Sequence, residues 1–221
     1  MTRKIVIVGG NRGIGLEFAK QYKNLGDDVL VLCRKSSKEL DELGVIVKPG
    51  FDVKDDETVS KISSMIGWDN IDILIHNAGI LIGDKFPEVD LNAMRESFEV
   101  NTLGPLKTVL GLREKLNKGS KVGIVTSRVG SIADNSSSNN YAYRTSKTAV
   151  NMIGSCLSID LKDKGVALAL LHPGYVKTEM TNGNGLIEAD EAANGLINRM
   201  DELTIETTGL FVHTSGEKLL W

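Results

Sequence analysis

Tyr143 and Lys147 stand four apart in the run Tyr-Arg-Thr-Ser-Lys, sixteen residues after Ser127. Positions i and i+4 of a helix share a face, so this spacing would point a phenol and an ammonium the same way. A free phenol titrates near pH ~10 and exchanges its proton poorly at neutrality. A lysine charge beside it is expected to favour the phenolate and draw that pKa toward the working range. The Ser127 hydroxyl could then hold the oxygen that gains or loses the proton. Such a set suits the interconversion of a carbonyl and an alcohol, and it needs a source of hydride. Tyr141 is no competitor, because Thr145 stands four residues after it.

A candidate for that source lies at the other end of the chain. Lys4-Ile-Val-Ile-Val8 is β-branched and apolar, as expected of a strand buried on both faces. It runs straight into Gly9-Gly10-Asn11-Arg12-Gly13-Ile14-Gly15, and Leu16, Phe18, Ala19 and Tyr22 then follow at helical spacing. Glycines at a strand-to-helix turn let the backbone approach a pyrophosphate, whose charge the helix N-terminus favours. The spacing is Gly-x3-Gly-x-Gly counted from Gly9, rather than G-x-G-x-x-G. Either motif alone is a chance-level match; their order and context carry the reading.

The elements needed to position these residues follow in alternation. Apolar runs predict strands near 4–8, 28–33, 45–49, 71–75, 121–126, 166–171 and 209–213. Helical periods fall near 13–25, 55–66, 90–116 (broken around Asn101), 140–163 and 188–200. This alternation implies an α/β fold, a single doubly wound Rossmann-type domain over 1–221 with a mostly parallel seven-stranded sheet. No linker or repeat divides the chain. The polar run Asp134-Asn-Ser-Ser-Ser-Asn-Asn140 joins Ser127 to Tyr143, and is expected to lie beside the site as a loop ending in a helix cap. Gly183 and Gly185, flanked by Asn182 and Asn184, suggest a short mobile substrate loop near 179–188.

Composition excludes several classes of function. With 221 residues and a net charge of −3, the chain fits one α/β domain and lacks the basic stripe of a nucleic-acid binder. No apolar run is long enough to cross a bilayer, and Met1-Thr2-Arg3-Lys4 precedes too short an apolar stretch for a signal peptide. Cys33 and Cys156 form no disulfide or metal framework, and His76, His172 and His213 lack zinc-ligand spacing. A cytoplasmic protein with no metal, membrane or nucleic-acid partner is the expectation.

In sum, the chain resembles the short-chain dehydrogenase/reductase family over nearly its whole length. Val8 to Gly15 is similar to that family's TGxxxGIG turn, with Val8 where Thr is usual. His76-Asn77-Ala78-Gly79 is similar to its NNAG element, with His for the first Asn. Asn101, Ser127, and Tyr143 with Lys147 fall at its asparagine, serine and YxxxK positions, and Pro173-Gly174 with Thr178 at the stretch lining the nicotinamide. The blocks 125–131 and 141–149, His172 to Val176, and Gly209-Leu210-Phe211…Trp221 look closest to the branch of sniffer-like carbonyl reductases and C-factor-like proteins.

The resemblance implies a nicotinamide cofactor and a role for each matching residue. Tyr143 would be the general acid, Ser127 would orient the substrate oxygen, and Asn101 would link a water relay to Lys147. Lys147 would lower the Tyr143 pKa and hold the nicotinamide ribose. Gly9, Asn11, Arg12, Gly13, Ile14 and Gly15 would line the pyrophosphate, and Asp52-Val53 the adenine. Asn77, Ala78 and Gly79 would pack on a ribose, Pro173 and Gly174 would line the nicotinamide, and Thr178 with a backbone group at Val176 would hold the carboxamide. After the second strand stand Cys33-Arg34-Lys35 and no carboxylate, and Arg12 adds a cation. Arg34 in particular suits a 2′-phosphate, hence NADP(H) over NAD(H). The implied activity is NADPH-dependent reduction of an aldehyde, ketone or quinone. The alternatives are a C-factor-like signalling protein, for which cofactor binding outweighs turnover, and a reductase devoted to one metabolite. A homodimer is expected, or else a tetramer, with Val150, Ile153 and Leu157 serving the interface or facing the sheet.

Overall fold

The structure is a computed structural model that describes residues 2–221. Seven strands run β1 Lys4–Val8, β2 Asp28–Leu32, β3 Ile46–Lys48, β4 Ile71–His76, β5 Leu116–Val125, β6 Ala167–His172 and β7 Leu210–His213. They form one sheet in the order β3-β2-β1-β4-β5-β6-β7, and every pair is parallel. The order reverses between β1 and β4, which opens a crevice at the carboxyl ends of the strands. The Rossmann-type α/β reading holds, with a sheet parallel throughout rather than mostly so.

Alternate side chains of each central strand enter opposite cores, as the pleat requires. Val6, Val8, Leu30, Leu32, Leu74 and Ile124 pack with Ile62, Val109 and Val150 on one face. Ile5, Ile7, Val29, Val31, Ile73 and Ile75 pack with Phe18, Tyr22, Leu196 and Met200 on the other. The first layer contains α3 (Thr58–Ile66), α4 (Leu91–Phe98), α5 (Gly104–Leu112) and α6 (Tyr141–Asp160). The second contains α1 (Gly13–Asn24) and α7 (Ala189–Glu202), with the short α2 (Lys38–Glu42) beyond β2. Val150 and Leu157 are buried in the sheet-side core, so they serve the fold rather than an interface. The exposed apolar residues of α6 are Met152 and Ile159.

Three local departures from the sequence reading have clear causes. The helix expected to break at Asn101 instead continues through a π-helical turn, Glu99–Leu103, between α4 and α5. Pro105 follows in the first turn of α5 and has no N–H to offer the Asn101 carbonyl four residues back. β5 begins at Leu116 rather than 121, with an irregular register against β4 and a left-handed Gly119 (φ 93°). The unforeseen α2 is a short helix capped by Ser37, whose Oγ accepts from the Leu40 N–H.

Candidate active site

The crevice holds a cavity of about 570 Å³ that runs from the glycine turn to Tyr143 and Lys147. Gly9, Asn11, Arg12, Gly13 and Ile14 line one end, together with Arg34, Asp52 and Val53. Asn77, Ala78 and Gly79 line its middle, and Tyr143, Lys147, Pro173 and Thr178 the other end. Residues distant in sequence thus converge because the parallel strands β1 to β6 all end at one side of the sheet.

The glycine turn is built for close approach. Gly9 has φ 84°, and a Cβ there would lie 2.7 Å from the backbone of Ala78. A Cβ at Gly15 would lie 2.0 Å from the Gly9 carbonyl oxygen, so Gly15 presses α1 against the turn rather than lining the cavity. Asn77 completes the seam, its Nδ2 donating to the Gly9 carbonyl at 2.7 Å while its backbone N–H reaches Val8 O at 2.9 Å. His76 lies behind this seam, fully buried, with Nδ1 3.1 Å from Thr108 Oγ1. Thr108 already donates to Gly104 O, so it accepts from His76. Burial pushes the His76 imidazole down to about 3, and it remains a neutral structural group.

The rim carries the charges. Arg34 and Lys35 are exposed at the end of β2 and, among the described residues, neither makes an ion pair. Arg12 is different: it pairs with Glu179, across the mouth of the cleft. Asp52 turns its Oδ1 to the Lys54 N–H at 3.0 Å, and its carbonyl accepts from Thr58 Oγ1 at 3.0 Å. Thr178 lies beside the turn: a Cβ on Gly13 would meet its Cγ2 at 3.4 Å, an ordinary contact, so it is the φ of 53° rather than crowding that favours glycine there.

The floor at the other end is dense and hydrogen-bonded. Lys147 is 4% exposed and donates from Nζ to Val125 O at 3.0 Å. Burial pushes its pKa down to about 8. Its Nζ lies 5.6 Å from the centroid of the Tyr143 ring, over the face. Tyr143 is half-buried, and the packing around its phenol pushes the pKa up to about 12, against the Ser127 hydroxyl beside it. The expectation is that Lys147 draws the phenol toward neutrality; burial acts in the opposite direction. Desolvation dominates both groups, and it holds the phenol protonated while loosening the lysine's proton.

Ser127 stands two residues after β5 and caps the 3₁₀ turn Arg128–Gly130, its Oγ accepting from the Val129 N–H at 3.3 Å. The turn that follows it seats directly on α6: a Cβ on Gly130 would lie 2.6 Å from the Lys147 carbonyl carbon. Asn101 lies behind the cavity. Its Nδ2 donates to Ile80 O and to Ser146 Oγ, both at 2.9 Å, and its Oδ1 accepts from the Ile80 N–H at 2.8 Å. Ser146 in turn donates to Tyr143 O at 2.8 Å. Asn101 therefore ties the segment after β4 to the helix bearing Tyr143. Gly130 and Ser146 escaped the sequence reading, since a glycine in a turn and a serine on a helix carry no signal of what approaches them.

Gly174 and Val176 lie outside the cavity lining. Gly174 has φ 88°, and its missing side chain would meet His213 Nε2 at 3.1 Å. Val176 is buried and bridges to Ile187, closing the base of an excursion that contains the 3₁₀ turn Glu179–Thr181. Cys33, Phe51, Lys54, Glu96, Glu179 and Met180 line the cavity unannounced by any motif. Among the described residues, no group of three His, Cys, Asp or Glu is placed to hold a metal ion, and no helix is long and apolar enough to cross a membrane.

Comparison with known proteins agrees with this geometry. The sequence profile of the short chain dehydrogenase family matches residues 3–186. A 1-hydroxy-2-glutathionyl-2-methyl-3-butene dehydrogenase of Rhodococcus sp. (strain AD45) is 40% identical over 223 residues, covering 98% of this chain and 99% of that protein. The C-signal protein of Myxococcus xanthus is 37% identical over 154 residues, covering 68% of this chain and 93% of that protein. Among solved structures, the carbonyl reductase Sniffer of D. melanogaster superposes with a TM-score of 0.92 at 26% identity, each chain covered in full. An NADPH-bound carbonyl reductase from chicken fatty liver superposes with a TM-score of 0.88 at 26% identity, over 100% of this chain and 99% of that one. With its glycine turn, its parallel sheet, Tyr143 and Lys147 on one cavity floor and the Ser127 hydroxyl beside the phenol, this chain belongs to the short chain dehydrogenase family of oxidoreductases.

Proposed function

We propose that this protein is an NADPH-dependent carbonyl reductase acting on a small aldehyde, ketone or quinone. The observation that carries the reading is the cavity itself, with proton-handling groups at one end and unpaired cations at the other. Arg34 and Lys35, where a carboxylate would accept a ribose hydroxyl, suit a 2′-phosphate. The turn fits the rest of a dinucleotide, because side chains at Gly9 and Gly15 would fill the cradle. Arg12, Gly13 and Ile14 would hold the pyrophosphate, Asp52 and Val53 the adenine, Asn77 to Gly79 a ribose, and Pro173 and Thr178 the carboxamide. The short excursion near 179–188 would border the substrate, within the single domain that residues 1–221 form.

Bound NADPH supplies the hydride. Tyr143 gives its proton to the substrate oxygen as charge builds there, and Ser127 donates a hydrogen bond to that oxygen. Lys147 would hold the ribose and steady the charge that develops on the phenol. Asn101, whose carbonyl Pro105 cannot serve, would accept a hydrogen bond from a water that replenishes the proton through Lys147. The protonated phenol is the form that donation to the substrate oxygen requires. Exposed Met152 and Ile159 on α6, with Phe98 on α4, would form the face of a homodimer.

The partial match to the C-signal protein supports a second reading, in which cofactor binding matters more than turnover. One experiment separates them. Consumption of NADPH would be followed with a panel of aldehydes, ketones and quinones, in parallel with fluorescence titration of NADPH and NADH. Turnover with any of them, lost in Tyr143→Phe, supports the reductase. Tight NADPH binding without turnover across the panel favours the second reading, and preference for NADH overturns the cofactor assignment.

A further inference from the structure

The helix that presents Tyr143 lacks a cap of its own. Asn140, at the N-cap of α6, has left-handed backbone angles (φ 52°, ψ 45°) and makes no side-chain cap. The first turn of the helix contains no acidic residue. Four N–H groups at the head of the longest helix, those of residues 140–143, therefore need an acceptor from elsewhere. Tyr143 is the third residue of that helix, so any fraying there moves the phenol directly.

The acceptor comes from the segment after β4. Asp84 meets the helix head twice: its backbone carbonyl accepts from the Asn140 N–H at 2.7 Å, and its Oδ1 accepts from the Ala142 N–H at 3.4 Å. Oδ2 is buried and, among the described residues, has no hydrogen-bond partner, while Oδ1 faces the positive end of the helix. The same segment is held at Ile80 by Asn101, which bonds Ser146 one turn further along α6. Residues 80–84 are thus strapped to α6 on either side of Tyr143. We infer that Asp84 is a positioning residue: by capping α6 from another element, it fixes the phenol relative to Ser127 and Lys147. Its kinetic consequence rests on the reductase reading; its structural consequence does not.

The test compares wild type with Asp84→Ala, which loses the side-chain acceptor, and Asp84→Asn, which keeps it. Two quantities are read: NADPH-dependent reduction of a quinone, as kcat and KM separately, and amide hydrogen exchange across residues 139–147. Losing an N-cap acceptor predicts about fivefold to tenfold faster exchange in the first turn of α6 for Asp84→Ala, with Asp84→Asn near wild type. Turnover should follow, with kcat down about tenfold, KM for NADPH within about twofold, and most of kcat restored by Asn. Unchanged exchange in Asp84→Ala overturns the inference, and so does faster exchange with unaltered kcat in an active enzyme. Equal loss in both variants overturns it as well. If wild type fails to reduce the quinone, the reductase reading fails and exchange alone decides the cap. Should Asp84→Ala not fold, Asp84→Glu takes its place: it displaces the carboxylate by one methylene, and wild-type kcat and exchange would overturn the inference.

Discussion

The floor and the rim of the cleft both carry positive charge, and they hold it in opposite ways. On the floor, Lys147 is almost wholly buried, bonded to Val125 O, and packed against the Ser127 turn through Gly130. On the rim, Arg34 and Lys35 lie in solvent without ion pairs among the described residues, and Arg12 pairs with Glu179 while 63% exposed. Burying the lysine is costly. A fall in its pKa from 10.5 to about 8 corresponds to roughly 3 kcal/mol against the charged form. Exposed charges incur no such penalty, and their contacts are discounted by solvent. The difference teaches that the floor is fixed before any ligand arrives, whereas the rim keeps its charge available for one. Changes on the floor should therefore be large and affect rate; changes on the rim should be smaller and affect binding.

Tyr143→Phe should break the floor most completely. It removes the phenol proposed as proton donor and leaves the ring packing in place, so kcat should fall about 10³-fold, within the range for lost acid–base catalysis. NADPH affinity by fluorescence titration should stay within about twofold. A variant that keeps a tenth of wild-type activity would show that the phenol is not the donor.

Lys147 sharpens the comparison through pH, because its activity and stability effects have opposite signs. Its ammonium is expected to aid reduction, so kcat/KM should fall as pH rises through about 8. Its folded pKa lies below the unfolded value, so the unfolded chain binds more protons between pH 8 and 10.5. The cost of burying the charge is full below pH 8 and lifts as pH rises toward 10.5. Stability of wild type relative to Lys147→Met should accordingly rise across that window, by up to roughly 3 kcal/mol. Denaturant melts of both proteins at a series of pH values would read this, and a flat difference would place the lysine's charge in solvent.

Much of this division was legible in the sequence, for reasons that also show its limit. Tyr143, Lys147, Ser127 and Asn101 carry chemistry in their side chains, and the alternation of apolar runs dictates which ends of the sheet they share. The glycine turn could be read because only glycine permits the φ of Gly9 or the contact at Gly15. The pKa order could not, since spacing gives the proximity of Tyr143 and Lys147 but not their desolvation. The π-helical turn, the Asn101 clamp on Ile80 and Ser146, and the Asp84 cap were equally hidden. The clamp and the cap depend on groups presented by a different element, for which side-chain type gives no sign. Arg12 pairs with Glu179 through side chains 167 residues apart in sequence, a meeting that the sequence does not announce either.

On the rim, Arg34→Ala should weaken NADPH binding about tenfold and leave NADH within about twofold. A charge-assisted contact to a phosphate is worth more than that when buried, and exposure reduces it. Parallel titrations of the two cofactors read the difference directly. Equal weakening of both would assign Arg34 to a group the cofactors share, and no change would leave Lys35 or Arg12 as the discriminating cation.

Glu179→Gln should have the smallest effect, and its sign is informative. The Arg12–Glu179 pair is exposed on both sides, so its contribution to stability is ~0–1 kcal/mol and the melting temperature should hardly move. Binding is another matter, because Glu179 places a negative charge on the lining of a cavity that would take phosphates. Removing that charge frees Arg12 and should tighten NADPH binding about twofold to threefold at low salt. At 1 M salt the Debye length falls to ~3 Å, and the gain should vanish. Weaker binding in the variant, at any ionic strength, would reverse the argument. It would mean that the pair holds the 179–181 turn in place over the cleft, and that this part of the rim is built as rigidly as the floor.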